Sequence, residues 1–168
     1  MAVGVEIERK FLITKKPVQK PDRVCKIKQG YIARENGNTV RVREMDGLYI
    51  LSIKTRNETG GRNEFEYDIS KEEGEVLFSS VKHPAIIKTR ENYKIEDKIW
   101  ELDIFEGANT GLIIAEVELS SLDETVAIPD WIGPEVTELS KFYNANIAGR
   151  PFESWRINYE ALVKRLSD

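Results

Sequence analysis

Charged and apolar residues alternate along most of this 168-residue chain, and that alternation limits its fold more than any other feature. In an extended strand, residues two apart share a face. The pattern predicts strands at residues 3–13, 24–33, 39–45, 48–56, 62–69, 86–96, 98–105 and 112–121. Short turn signals such as Asp46-Gly47 separate several of them, so we expect antiparallel neighbours.

Helical signals are fewer and lie mainly near the C-terminus. Residues 70–81 begin with Ser70 and Glu73 in the spacing of a capping box. A second helix is predicted in 133–148, where Pro134 would lie near its start, and a third in 151–168, which carries an apolar stripe. The sequence therefore predicts a mainly β (α+β) fold, in one domain spanning residues 1–168.

Like charges are grouped by strand on the polar faces. Four predicted strands carry paired carboxylates and two carry paired cations, whereas a solvated face would gain by mixing signs. Turning the charged faces inward in a closed barrel would also remove exposed strand edges. The alternative is that they form the wet side of an antiparallel sheet. The carboxylates are Glu6, Glu8, Glu64, Glu66, Glu101, Asp103, Glu116 and Glu118, and the cations are Arg41, Arg43, Lys88 and Arg90, joined by Lys10, Lys28 and Lys54.

A barrel with such an interior would need both a cation and an anion as ligands. Carboxylates without histidine or cysteine suit hard divalent cations, Mg²⁺ or Mn²⁺. Clustered arginine and lysine side chains suit a polyanion, and phosphate is the obvious candidate. We therefore expect Glu6 and Glu8 to lie around a divalent cation, and Lys10 to reach toward a phosphate.

Several classes of protein are disfavoured by composition. A net charge of −4 argues against a general nucleic-acid partner. The single cysteine, Cys25, and single histidine, His83, cannot form a disulfide or a Cys/His zinc site, and we expect a buried thiol and a bystander imidazole. No apolar run reaches membrane-spanning length and the N-terminus lacks a secretory signal, so a cytoplasmic protein is expected.

Nine motifs in order along the chain resemble those of the triphosphate tunnel metalloenzymes, or CYTH superfamily. They are EIERKFLI, KQGYIA, VRVR, LSIK, RNEFEYDI, KTR, WELDIFEG, AEVEL and EVTELSKFYNANIA. The chain looks most like the short bacterial inorganic tripolyphosphatases. The resemblance implies an eight-stranded antiparallel tunnel, closed into a barrel with a charged interior, in which a triphosphate is cleaved with the help of a divalent metal.

The resemblance and the charge pattern together give each residue an expected role. One Mg²⁺ or Mn²⁺ would lie at Glu6, Glu8, Glu116 and Glu118, and a second would involve Glu64, Glu66, Glu101 or Asp103. Lys10 or Lys88 would act as general base, and the sequence does not choose between them. The substrate oxygens would be bound by Lys10, Lys28, Arg41, Arg43, Lys54, Lys88 and Arg90.

Three functions fit these expectations. Hydrolysis of inorganic tripolyphosphate ranks first, because no stretch of sequence offers a pocket for stacking a base. A nucleoside or thiamine triphosphatase, or a class IV-type adenylate cyclase of the same fold, is the second reading. A non-catalytic binder of polyphosphate or RNA 5′ ends is the third. A homodimer is compatible with all three.

Overall fold

The computed structural model describes residues 2–168, in which ten antiparallel strands form one sheet and three short α-helices flank it. Along the sheet the strands follow the order β1-β6-β5-β4-β3-β7-β8-β9-β2-β10. They are β1 (Ala2–Glu6), β2 (Glu8–Ile13), β3 (Arg23–Glu35), β4 (Asn38–Met45), β5 (Leu48–Arg56), β6 (Arg62–Ile69), β7 (Ile86–Ile95), β8 (Lys98–Phe105), β9 (Ile113–Glu118) and β10 (Ile132–Glu135).

The prediction of eight strands closed into a barrel is wrong in both number and closure. The predicted first strand is interrupted at Ile7, so that β1 pairs with β6 whereas β2 pairs with β9. A short additional strand, β10, pairs with the other edge of β2. Within residues 2–168 the two end strands of the sheet, β1 and β10, do not pair with each other.

Chain connectivity nevertheless makes the sheet curl. Strands β1 and β2 lie near opposite ends of the strand order but are joined directly through Ile7. The sheet must therefore bend round until β6 and β9 flank the N-terminal segment. Gly61 permits this approach, because a Cβ there would lie 2.6 Å from the carbonyl oxygen of Glu6 and its φ of 72° favours glycine.

Two tight turns fix the pairing of the central hairpins. Asn36 and Gly37 join β3 to β4 with φ angles of 51° and 81°, and Asp46 and Gly47 join β4 to β5 with φ angles of 52° and 82°. Positive φ at both central residues is the requirement of a type I′ turn, which matches the twist of antiparallel strands. The hairpin predicted at Asp46-Gly47 is confirmed.

The first helix, α1 (Lys71–Phe78), begins at the predicted capping box. The Ser70 hydroxyl accepts a hydrogen bond from the Glu73 amide at 3.1 Å, and the Glu73 carboxylate accepts one from the Ser70 amide at 2.7 Å. Gly74 lies inside this helix at a close contact, since a Cβ there would fall 2.0 Å from the ring of Tyr49. The close packing of α1 on the sheet thus explains why position 74 is a glycine, although glycine is a poor helix former.

The other two helices, α2 (Asn144–Gly149) and α3 (Tyr159–Ser167), are shorter than predicted. Pro134 lies in β10 and not at a helix start, because this segment covers the open edge of β2. Backbone hydrogen bonds beside that ladder join Thr14 to Trp131 at 2.9 Å and Val136 to Lys10 at 2.8 Å. No helix among residues 2–168 has the length and apolar character needed to cross a membrane.

Two apolar clusters pack against the sheet, one on each of its faces. One lies on the side of the sheet opposite the charged face and includes Trp100 and Trp131. The other includes Leu12, Ile86 and Ile114, which lie two residues from Lys10, Lys88 and Glu116 respectively and therefore share their face. The C-terminal segments pack on this second cluster, so the inward face is charged along part of its length and apolar where those segments close it.

Candidate active site

The charged face encloses a cavity of about 300 Å³, here called the tunnel. Nine of the ten strands contribute to its wall, which is the arrangement expected of an inward-facing charged surface. The residues that line it are Glu6, Glu8, Lys10, Tyr31, Thr39, Arg41, Arg43, Lys54, Arg62, Glu64, Glu66, Lys88, Arg90, Glu101, Glu116 and Glu118 from the sheet, with Asn144 and Ala145 from α2.

Lys28 is one of two predicted site residues that do not line this cavity. Its ammonium lies 4.2 Å from the centre of the Phe78 ring on α1, whereas its neighbour Gln29 is fully buried and accepts a hydrogen bond from Arg43 Nη2 at 2.9 Å. Successive residues of a strand face opposite sides, so only one of these two polar side chains can point inward. Lys28 therefore does not belong to the tunnel wall.

Asp103 is the second predicted site residue outside the cavity wall. It is completely buried behind two cations, accepting hydrogen bonds from Lys88 Nζ at 2.5 Å and from Arg90 Nε at 2.7 Å. Despite burial, which opposes ionisation, Arg90 and Lys88 lower the pKa of the Asp103 carboxyl. Both carboxylate oxygens are occupied in this way, so Asp103 holds the cations in place and is not proposed as a metal ligand.

Lys10 connects two carboxylates across neighbouring strands. Because Lys10 on β2 is directly opposite Glu116 on β9, its ammonium lies 2.7 Å from Glu116 and also 2.9 Å from Glu8. Burial alone would lower the pKa of Lys10, but these two carboxylates outweigh it and raise the pKa. Lys10 is therefore a permanent cation in this structure.

A similar pair joins the other side of the cavity. Lys54 on β5 is opposite Glu64 on β6, with 3.5 Å between the ammonium and the carboxylate, and it also forms a short ion pair with Glu6. Arg90 forms a third such connection, to Glu101. Each wall of carboxylates is thus neutralised in part by a cation from another strand.

Lys88 differs from Lys10 in its charge state. Its side chain is completely buried, and its ammonium donates to Asp103 and to Asn144 Oδ1 at 3.2 Å. Burial lowers the pKa of Lys88 to about 8, Asp103 opposing the shift and Arg90 contributing to it. Neutral and charged forms therefore coexist at mildly alkaline pH.

Two arginines on β4, Arg41 and Arg43, lie two residues apart on the tunnel wall. Arg41 is buried, and within residues 2–168 its Nε has no hydrogen-bond partner, although Nη2 lies 3.1 Å from Ser52 Oγ. Burial, with Arg41 and Arg90 nearby, lowers the pKa of Arg43 to about 10. A buried donor without a partner and crowded cations are both relieved by a bound anion.

Several carboxylates also lie close together on the tunnel wall, around Glu118. Burial raises the pKa of Glu118, and the charges of Glu6, Glu64 and Glu8 raise it further. Oxygen donors of this kind fit Mg²⁺ or Mn²⁺. Within the described chain, no three histidine, cysteine, aspartate or glutamate side chains are grouped tightly enough to hold a metal by themselves. A divalent ion here would need oxygens from substrate or water as well, which is the usual situation for Mg²⁺.

Several residues of the wall were not identified from the sequence. Arg62 and Thr39 carried a usable signal, because each lies two residues before an assigned member of its own strand, Glu64 and Arg41. Tyr31, Asn144 and Ala145 also line the cavity. Asn144 had no signal in the sequence, since a helix packed against the sheet brings it to Lys88.

The fold and the cavity define a class of antiparallel β protein in which a curled sheet surrounds a tunnel of opposed carboxylates and cations. The chain belongs to the CYTH domain family, which matches residues 4–146.

Two curated relatives are both named inorganic triphosphatase. The protein from Acetivibrio thermocellus is 34% identical over 155 residues, which cover 92% of this chain and 99% of the relative. The protein from Nitrosomonas europaea is 34% identical over 149 residues, which cover 85% and 96%. A crystal structure described as an inorganic triphosphatase superposes with a TM-score of 0.64 at 30% identity, covering 86% of this chain and 95% of that one.

Proposed function

We propose that this protein is a divalent-metal-dependent hydrolase that cleaves inorganic tripolyphosphate and releases phosphate. The observation that carries the proposal is the buried Arg41, whose Nε has no hydrogen-bond partner among the described residues and whose charge, with that of Arg90, acts on Arg43. An anion of several phosphates would satisfy this donor and its neighbours together. The names of the two curated relatives support the same activity.

The phosphate oxygens would be bound by the cations that line the tunnel. In the structure, Lys10 and Lys54 form ion pairs with carboxylates. Phosphate oxygens of the substrate would replace some of these carboxylate contacts. Catalysis would consist of orienting the chain of phosphates and neutralising the charge that develops on the transferred phosphoryl group. The proposed binding residues are Lys10, Arg41, Arg43, Lys54, Arg62 and Arg90.

The carboxylates of the tunnel are the groups that would hold Mg²⁺ or Mn²⁺. A divalent ion supplies neutralisation of phosphate charge and acidifies bound water. The negative charges of Glu6, Glu8 and Glu64 raise the pKa of Glu118, so a cation bound in this region would reduce the repulsion among these carboxylates. The proposed metal ligands are drawn from Glu6, Glu8, Glu64, Glu66, Glu101, Glu116 and Glu118.

Lys88 is the better candidate of the two expected bases. A general base must lose its proton at working pH. The pKa of Lys10 is raised by Glu116 and Glu8, whereas burial lowers that of Lys88 to about 8. We assign Lys88 the role of accepting a proton from the attacking water, with Asp103 and Asn144 fixing its position.

Inorganic substrate is favoured over nucleotide because the tunnel wall is almost entirely charged or polar. Tyr31 and Ala145 are its only aromatic and aliphatic members among the described residues. A nucleoside would therefore add bulk without matching apolar contacts.

The cytoplasm is the compartment we propose, and a homodimer stays a prediction.

The test compares phosphate release from tripolyphosphate, ATP and pyrophosphate, with Mg²⁺ and with Mn²⁺. Tripolyphosphate should give the highest kcat/KM. Pyrophosphate should be lower by at least about tenfold, because each unfilled charge-assisted contact costs about 1.5–3 kcal/mol. Faster turnover of ATP, or its conversion to cyclic AMP, would contradict the proposal.

A further inference from the structure

A second pocket lies beside the tunnel on the other side of α2. It has a volume of about 880 Å³, and Ala145 contributes to the walls of both cavities. The residues on either side of Ala145 divide between them, since Asn144 lines the tunnel and Asn146 lines the second cavity. We call this second cavity the outer pocket; its basic residues are Arg34, His83, Lys141 and Arg150.

The outer pocket has the charge of an anion site. Its lining includes two arginines, one lysine and one histidine, and the described chain contributes no aspartate or glutamate to it. Within residues 2–168 no carboxylate forms an ion pair with Arg34, Lys141 or Arg150. In a chain of net charge −4, a concave surface of this kind is a local excess of positive charge.

The rim between the two cavities is held by hydrogen bonds. Arg34 on β3 donates to Asn146 Oδ1 on α2, and Asn146 Nδ2 donates to the carbonyl of Ser140 at 2.5 Å. These contacts tie α2 to the sheet beside Tyr31, which lines the tunnel from the same strand. Arg34 is therefore held next to the tunnel, on the side of the outer pocket.

The aromatic residue of the outer pocket is already engaged. Lys141 Nζ lies 4.2 Å from the centre of the Trp155 indole, and the rings of Phe142 and Phe152 pack nearly perpendicular to it at 5.3 and 5.2 Å. The indole N–H donates to the carbonyl of Arg150 at 2.9 Å. This geometry favours a ligand recognised by charge over one recognised by base stacking.

We propose that the outer pocket binds the phosphates that extend beyond the tunnel when the substrate is a linear polyphosphate longer than tripolyphosphate. This inference rests on the proposed function, because the tunnel must hold the end that is cleaved. Arg150 and Trp155 follow residue 146, where the family match ends. The outer pocket is therefore built partly from a segment outside the matched domain.

The experiment measures binding by calorimetry without divalent metal, so that hydrolysis does not interfere. Tripolyphosphate is compared with a linear polyphosphate several phosphates longer, using wild type, Arg150→Gln and Lys141→Gln. Each variant should bind the longer chain about fivefold more weakly, corresponding to about 1 kcal/mol for an exposed charge pair, and tripolyphosphate almost unchanged. Lys20→Gln, which removes an exposed cation outside both cavities, is the matched control.

Salt dependence gives a second readout. Losing one phosphate contact should make the affinity for the longer chain less steeply dependent on salt concentration in Arg150→Gln. If neither variant changes affinity or salt dependence for the longer chain, the inference is wrong. Weaker binding of ATP with unchanged binding of the longer chain would also overturn it, because the pocket would then hold a nucleoside. Selective weakening of the longer chain in a protein that hydrolyses no tripolyphosphate would support the pocket and refute the activity.

Discussion

The ammonium of Lys10 lies 2.7 Å from Glu116 Oε1, so a cation proposed to bind phosphate is paired with a carboxylate proposed to bind metal. Lys54 and Glu6 repeat the arrangement on the other side of the tunnel. If Glu116 held a divalent ion, Lys10 would be free to bind phosphate, and if Lys10 bound phosphate, Glu116 would be free to hold the ion. Binding of metal and of substrate should therefore be coupled, and the coupling should be reciprocal.

This coupling predicts that Mg²⁺ and triphosphate stabilise the protein more together than separately. Thermal melts with an uncleavable imido analogue of tripolyphosphate, with Mg²⁺, and with both would measure it. A ligand at a hundredfold excess over its dissociation constant adds about 2.7 kcal/mol. That corresponds to a rise of about 5–10 °C in a domain of this size. A combined shift no larger than the sum of the two separate shifts would contradict the coupling.

Removing the charge of Glu116 should abolish most of the activity. We expect Glu116→Gln, and likewise Glu6→Gln, to lose at least about a hundredfold in kcat/KM, because metal-assisted charge stabilisation contributes several kcal/mol. Glutamine can still accept a hydrogen bond from Lys10, so a folded variant is expected. Melting curves check this, and Glu58→Gln, at an exposed position, is the matched control. Near-normal turnover at saturating Mg²⁺ would refute the metal assignment.

Arg41 should matter through the geometry of its guanidinium as well as through its charge. Arg41→Lys keeps a cation but loses the planar set of donors, which includes an Nε without a hydrogen-bond partner in the described part of the chain. The kcat/KM for tripolyphosphate should fall by about tenfold to a hundredfold, corresponding to about 1.5–3 kcal/mol for a charge-assisted hydrogen bond. Arg56→Lys, at an exposed arginine of β5, should leave kcat/KM unchanged. Equal activity in the two variants would exclude Arg41 from substrate binding.

The assignment of Lys88 as base predicts how activity depends on pH. Burial lowers the pKa of Lys88 to about 8, and only the neutral amine can accept a proton. The rate constant kcat should therefore rise with pH, with its midpoint near 8, and level off above it. Lys88→Arg, which stays protonated, should lose both the rise and most of the activity. A kcat that falls through pH 8 would show that the ammonium is the active form and that Lys88 binds phosphate instead.

Gly74 gives a test of the fold that is independent of activity. In an isolated helix alanine is favoured over glycine by about 1 kcal/mol. A Cβ at Gly74, however, would lie 2.0 Å from the Tyr49 ring. We expect Gly74→Ala to lower the free energy of unfolding by about 1–3 kcal/mol, the usual cost of overpacking. Adding Tyr49→Leu should recover part of the loss, and denaturant unfolding would measure both. A more stable single variant would show that the contact relaxes freely.

Much of the tunnel was predictable because the assignment of residues to faces is local. The alternation in β4 and β6 places Arg41 with Arg43 and Glu64 with Glu66 on the inner wall, as the sequence indicates. The capping box of Ser70 and the hairpin turn at Asp46-Gly47 also depend only on neighbouring residues, and both are confirmed.

The tertiary structure decided what depends on contacts between distant segments. The chain breaks at Ile7 because β1 pairs with β6 whereas β2 pairs with β9. Lys28 contacts Phe78 and Gln29 points inward because the pairing of β3 in the sheet decides which of its two faces is turned toward the tunnel. Asn144 reaches Lys88 only because α2 packs across the sheet, and the same packing creates the outer pocket. Alternation determines the two faces of a strand, but long-range pairing and sheet curvature determine which residues of different strands meet.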